Sequence, residues 1–208
     1  MLTYSIEVLP KPGQVDKVSG LVTQARDILA EATGQAWSAW VNLGGSPYGT
    51  HMLTTRVDGT PELIDGQVKA AGSAAFQGVS AEMAPLIEGS AEPLVAEITG
   101  VTGEMSSGAP VGVMTMAALN GGNLVASMDW AHRVAQHATD TTGVGTTLMM
   151  TVTGPMFNVG WAAGFEDGAA VDAMNASLAV DPGYIALMDE GAQHVEPTVR
   201  RRMVLRLP

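Results

Sequence analysis

Three residues of this chain carry side chains suited to moving a proton and holding a developing negative charge: Glu7, Asn42 and His51. A carboxylate or imidazole desolvated in apolar surroundings has its pKa pushed toward working pH, and an amide beside it can hold an oxyanion. Three aromatic residues, Trp40, Tyr48 and Trp161, are of the kind that stacks on a planar ligand in an apolar pocket. The candidate site therefore has Glu7, Asn42 and His51 as catalytic groups and Trp40, Tyr48 and Trp161 as substrate-binding groups.

Other chemistries find less support. His132 and His137 lie five residues apart in DWAHRVAQH, which on a helix turns them away from each other and rules out an i, i+4 zinc pair. A haem needs only one imidazole, and His132, His137 or His194 could supply it, but solvent-exposed histidines are expected here. The absence of cysteine removes thiolate metal sites, disulfides and a cysteine nucleophile. GxGxxG is absent, and VNLGGSPYG lies between two strands instead of opening a helix, so no nucleotide cofactor is expected. No GxSxG elbow supports a serine nucleophile. The expectation is a site with no metal and no cofactor. The 13 methionines are scattered without a ligand-like cluster and read as adaptable core filler. In RRRMVLRLP, Arg200, Arg202 and Arg206 share one strand face, either to grip an anion or to guard the strand against edge pairing.

Composition bounds the partners. With 46% apolar and 15% charged residues, the 208-residue chain has enough apolar surface to fold as one large domain or two small ones. Its 21 acidic and 10 basic residues give a formal charge of -11, which disfavours nucleic acid and anionic membranes. No apolar run is long enough to span a bilayer and no signal peptide is visible, so the expected compartment is a reducing cytoplasm. The expected partner is a small apolar or aromatic molecule, with a homodimer as an allowed assembly.

The elements that position these residues come twice. TGQAWSAWVNLGGSPYGTHMLTTRVDG from Thr33 and TGVGTTLMMTVTGPMFNVGWAAGFEDG from Thr142 have equal length and align without a gap, pairing Gly45 with Gly154, Tyr48 with Phe157 and Asp58 with Asp167. Each is preceded by a strand-like run, Thr3 to Leu9 or Val111 to Leu119, and a turn. A helix follows in each, marked by Val15, Val18, Val22, Ala25 and Leu29 or by Leu124, Met128, Ala131, Ala135 and Ala138. A helical region (Pro61 to Ala84, Ala169 to Val195) and a last strand (Pro93 to Val101, Val199 to Leu207) complete each copy. Both copies read βαββαβ.

That order resembles the ferredoxin-like unit of the dimeric α/β-barrel superfamily. Its members include small monooxygenases of antibiotic biosynthesis, haem-degrading enzymes, chlorite-dismutase-like haem proteins, stress-responsive barrel proteins and NIPSNAP-like proteins. The resemblance implies an α+β fold in which two tandem ferredoxin-like units, residues 1–101 and 111–208, form an intrachain pseudo-dimeric α/β barrel around a linker at 102–110. It also implies a barrel interior that takes a small molecule, with monooxygenase-like or isomerase-like chemistry on an apolar or aromatic substrate. The alternative is a non-catalytic NIPSNAP-like or stress-responsive binding or assembly protein.

The pleat selects which side chains face that interior. In WSAWVNL, Trp37, Ala39, Val41 and Leu43 fall on one side and Ser38, Trp40 and Asn42 on the other. The apolar side suits the unit's own helices, which leaves Trp40 and Asn42 pointing inward. On the first strand Leu2, Tyr4, Ile6 and Val8 form the apolar row and Thr3, Ser5 and Glu7 the other. For Thr50 to Val57 and Val159 to Glu166 neither row is clearly apolar, so the inward row there stays open.

Overall fold

In the first half the long helix sets the frame. Helix α1 (Val15–Thr33) buries Val18, Leu21, Val22, Ala25 and Leu29, residues spaced at three and four along one face. Strands β1 (Leu2–Pro10), β2 (Trp37–Gly44) and β3 (His51–Val57) pair antiparallel, with β3 between the other two. Their apolar row, Tyr4, Ile6, Val8, Trp37, Ala39 and Leu53, packs against α1 in one core. The expected second helical region is two helices, α2 (Thr60–Gly72) and α3 (Ala74–Met83), broken at Ser73, whose side chain accepts from the Phe76 N–H and caps α3. A 3-10 turn at Ala84–Leu86 leads into β4 (Ile87–Thr102).

The second half repeats the scheme with β5 (Val111–Ala118), α4 (Leu124–Thr142), β6 (Thr146–Thr151), β7 (Asn158–Phe165), α5 (Gly168–Val180), α6 (Pro182–Gly191) and β8 (Arg200–Arg206). Here the helical region breaks at Asp181, which accepts from the Tyr184 N–H. This computed structural model describes every residue except Ser107 and Met156.

The equivalence of the halves extends to individual hydrogen bonds. Helix α1 ends at Gly34 (φ 75°), whose N–H bonds the Ala30 carbonyl, and α4 ends at Gly143 (φ 71°), whose N–H bonds the Thr139 carbonyl. Left-handed backbone at these stops explains the glycines. Just before each, Thr33 donates to Leu29 O (2.7 Å) and accepts from the Gln35 N–H (3.2 Å), while Thr142 donates to Ala138 O (2.7 Å) and accepts from the Val144 N–H (3.2 Å). The shared Thr-Gly pair is thus one helix stop written twice.

The strands hydrogen-bond in the order β1-β3-β2-β8-β5-β7-β6-β4, which closes as a barrel. The chain divides into two compact units, one of Met1–Ala96 with Val204–Pro208, the other of Glu97–Met203. Each carries its own buried cluster, that of the second unit built on Trp130, Ala131, Val134, Leu148 and Val159.

The two stops differ in one respect, because Thr33 Oγ1 also accepts from Trp37 Nε1 at 3.2 Å. Thr33→Ala, which loses three bonds, should therefore destabilise the chain by about 3 kcal/mol and Thr142→Ala, which loses two, by about 2 kcal/mol, counting roughly 1 kcal/mol for each lost bond. Urea denaturation of the two variants checks the ranking; equal losses would show that the tryptophan bond contributes nothing.

Candidate functional site

Packing of one sheet face on α1 leaves the opposite face of β1, β3 and β2 to carry polar groups. Register places Ser5 opposite Thr54 and Thr54 opposite Ser38, and likewise Glu7, Met52 and Trp40 in a neighbouring row across the three strands. Trp40 is fixed at its nitrogen, since Nε1 donates to Thr54 Oγ1 at 2.9 Å. Its ring is covered by the Arg206 guanidinium, 4.6 Å from the ring centroid. A cation over an indole is worth roughly 0.5–2 kcal/mol, more as water is excluded.

Arg206 reaches that place through backbone contacts. The Leu207 N–H bonds Ala39 O at 2.8 Å, and Arg26 Nη1 on α1 donates to the Leu207 and Pro208 carbonyls at 3.2 and 2.6 Å. Leu207 packs with the helix-side core, so its neighbour Arg206 points to the other face. Burial, and secondarily the nearby Arg26 charge, pulls the Arg206 pKa down. An arginine keeps its proton at neutral pH even so. The even-numbered arginines Arg200, Arg202 and Arg206 share this face of β8, as alternation requires.

Asn42 lies on the same strand and face as Trp40 and is 3% exposed. Its N–H bonds Thr50 O at 2.8 Å, and Nδ2 donates to Ser46 O at 3.3 Å. Tyr48, by contrast, is 78% exposed at the tip of the β2–β3 loop. His51 stands opposite Val8 and Val41, in the row that faces α1, and is fully buried with Nε2 2.6 Å from Ser19 Oγ. The structure therefore brings Trp40 and Asn42 to one face with Glu7, and puts His51 on the other side of the sheet. Trp161 belongs to the second unit, where Nε1 donates to Ala131 O on α4 (3.0 Å) and the ring meets Trp130 edge-on, so it packs beneath the helix.

The equivalent face of the second unit is built differently. Met116, Gly160 and Met149 lie opposite one another across β5, β7 and β6. A Cβ on Gly160 would stand 3.2 Å from Met149 Cγ and 3.7 Å from Met116 Cγ, so the missing side chain makes room for two methionines. Polar groups of this unit gather instead along α4 and α6. Arg133 forks onto Glu190, whose carboxyl that guanidinium pulls down to about 2, and His137 Nε2 meets Asp181 Oδ1 at 2.6 Å. An open groove of about 500 Å³ runs beside them, lined by Arg133, His137, Leu187 and Glu190. His194 stacks on Trp130 and bonds Glu190. Among the described residues no group of three or more His, Asp or Glu side chains could hold a metal ion, and no helix is long and apolar enough to cross a membrane.

Sequence reasoning missed the Trp40–Arg206 contact, although Trp40 was read as facing away from the apolar side and Arg206 as one of a row of arginines on a single strand face. What was lacking was the strand order, since only β8 lying beside β2 brings the arginine to the tryptophan. The Arg133–Glu190 and His137–Asp181 pairs need α4 against α6, which no spacing in the sequence announces.

No family model matches the sequence, and no curated protein matches it. Solved structures do match. A candidate monooxygenase from Fusobacterium nucleatum has a TM-score of 0.73 at 8% identity, over 100% of this chain and 92% of its own. An anthrone oxidase-like protein has a TM-score of 0.70 at 12% identity, over 100% and 91%. A ferredoxin-fold protein from Listeria monocytogenes, related to antibiotic biosynthesis monooxygenases, has a TM-score of 0.55 at 9% identity, over 100% and 96%. The chain shares their fold. The α+β class, the tandem ferredoxin-like units and the eight-stranded barrel expected from the duplication are thereby established, and identities this low carry the fold alone.

Burial pushes the His51 imidazole below its ordinary range, opposed by the Gly49 backbone, to which Nδ1 makes no well-formed hydrogen bond. The folded state therefore favours neutral imidazole. Its contribution to stability is complete above about pH 6.5 and is lost as pH falls toward the lower folded value, at up to about 1.4 kcal/mol per pH unit. Urea midpoints at pH 7.5 and 5.5 should diverge more for the native chain than for His51→Gln, which cannot titrate. An identical pH dependence in both would mean that His51 does not govern this window.

Proposed function

We propose that the chain binds a planar, apolar or aromatic small molecule against Trp40, on the sheet face of the first unit that its helices leave uncovered, and acts on it in a monooxygenase-like way. The observation that carries this reading is the indole–guanidinium pair. Trp40 is held by Thr54 at its nitrogen and by Arg206 over one face of its ring, which leaves the other face and the ring edge for a ligand beside a fixed cation. That pairing suits an aromatic molecule bearing an acidic hydroxyl. The ring adds stacking area, and the cation favours the ionised oxygen, lowering the cost of losing the proton.

Glu7 supplies a carboxylate on the same face, separated from Trp40 by Met52 on the intervening strand. Two strand spacings put it about 10 Å from the indole strand. A fused-ring substrate spans such a gap, so one end can stack on Trp40 while the other presents its acidic proton to Glu7. Arg206, at the Trp40 end, then stabilises the negative charge that delocalises through the fused rings, and Asn42 lies two residues further along the same face of β2. His51, behind the sheet, has the structural task of tying β3 to α1 through Ser19. The reading requires no metal and no nucleotide.

The likeness to an anthrone oxidase-like protein makes anthrone, whose enol tautomer carries an acidic hydroxyl on a fused ring, the substrate class to try first. Purified protein should bind anthrone and consume dissolved oxygen in its presence faster than the uncatalysed reaction, one oxygen atom of each O2 becoming the new ring carbonyl and the other leaving as water with the two hydrogens of the oxidised carbon, so that the substrate itself is the reductant. Trp40→Met, which installs the residue found at the equivalent place in the second copy, should weaken binding at least about tenfold, the equivalent of roughly 1.4 kcal/mol of stacking, in a chain whose far-UV circular dichroism shows the native fold retained. Binding without oxygen uptake would leave a non-catalytic binding protein. Undiminished binding in Trp40→Met would remove the indole from the site.

A further inference from the structure

The two copies close the same hairpin loop with different atoms. In the second, Thr151 donates its hydroxyl to the carbonyl of Pro155, four residues on, at 2.6 Å, and the same oxygen accepts from the Asn158 N–H at 3.3 Å. One side chain thus has its polar capacity used within the loop. In the first, Asn42 occupies the equivalent position and keeps the tie to the carbonyl four residues on, from Nδ2 to Ser46 O at 3.3 Å. Its other polar atom, Oδ1, has no partner, and neither has Ser46 Oγ, although both are shut away from solvent. The turn does not need them, because Thr50 closes it with both its hydroxyl (2.7 Å) and its N–H (3.2 Å) on Pro47 O.

An amide oxygen buried without a partner is a costly arrangement, and the chain already contains the cheaper solution in its other half. Asn42 is 3% exposed and lies two residues from Trp40 on the same face of β2, about 7 Å along the strand. That is the length of a fused aromatic ring pair. We propose that Asn42 Oδ1, with Ser46 Oγ from the adjoining loop, is the acceptor for a hydroxyl on the aromatic ligand, and that this pair makes the site select hydroxylated rings over their alkylated or unsubstituted counterparts. Ser46 Oγ can complete the contact from either direction, since a hydroxyl both donates and accepts. The proposal rests on the Trp40 reading above and adds to it the substituent that the site recognises.

Isothermal titration with 2-naphthol and 2-methoxynaphthalene separates the two ideas, because the ethers keep the ring and lose only the donor. The native chain is expected to bind 2-naphthol at least tenfold more tightly than the methyl ether. Asn42→Thr should bring that ratio close to one by weakening naphthol alone, with an unfolding midpoint equal to or above that of the native chain. Asn42→Ser provides the same comparison should the threonine variant fold poorly, and Ser46→Ala should lower the ratio by a smaller factor. Equal affinity of the native chain for both compounds, or a ratio unchanged in the asparagine variants, overturns the hydroxyl selection while leaving stacking on Trp40 intact. If the native chain binds neither compound nor anthrone, the Trp40 reading falls and this proposal falls with it.

Discussion

Everything proposed for the first unit depends on the register in which β1, β3 and β2 pair. A strand has a period of two, so a slip of one residue would exchange its faces. What fixes the register is burial: Tyr4, Ile6, Val8, Trp37, Ala39 and Leu53 must meet Val18, Leu21, Val22, Ala25 and Leu29 of α1, and most of these residues are below 9% exposed. Fully burying a large apolar side chain is worth about 1.5–3 kcal/mol, so a slipped strand would forfeit several such terms at once. The positions of Ser5, Glu7, Trp40, Asn42 and Thr54 follow as a consequence. They are polar-face residues because their neighbours are core residues.

Where the two rows of a strand differ plainly in polarity, the sequence was enough to read this. Strands β1 and β2 alternate apolar with polar or mixed residues, and the structure puts Tyr4, Ile6, Val8, Trp37 and Ala39 of their apolar rows in the core with α1, while Leu43 at the end of β2 is exposed. The helix stops were equally legible, since Thr-Gly leaves few options for the end of an amphipathic run. The third strand was not, because His51 and Thr55 share a row with Leu53 and Val57. Its helix-side row tolerates polar residues only through partners elsewhere in the chain: Ser19 on α1 for His51, and the Ala36 carbonyl for Thr55. A polar residue whose partner is distant looks exposed in sequence and is buried in fact. Trp161 was no more legible, since from Val159 onward neither row of β7 carries a polar residue that would mark the face turned away from α4.

The divergence of the copies carries the functional argument. Both retain the same helix stops, the same loop tie and an apolar row against their own helix. On the other face the first unit presents an indole, an amide, hydroxyls and a carboxylate, while the second presents methionines and a glycine. Methionines at Met116 and Met149 fill space adaptably and ask nothing of a ligand. An indole pinned at its nitrogen and an amide with one unpaired oxygen form a more specific surface, whose cost in stability the first unit bears.

Methionine provides a direct reporter of that asymmetry, because Met52 stands between Glu7 and Trp40 whereas Met174 and Met188 lie on the helices of the second unit. With ¹³C-methyl methionine, titration of the native chain with anthrone should shift the Met52 resonance, assigned by its loss in Met52→Leu, and leave Met174 and Met188 in place. A shift confined to Met174 or Met188, with Met52 unmoved at saturation, would put the ligand on the helices and contradict a site at Trp40.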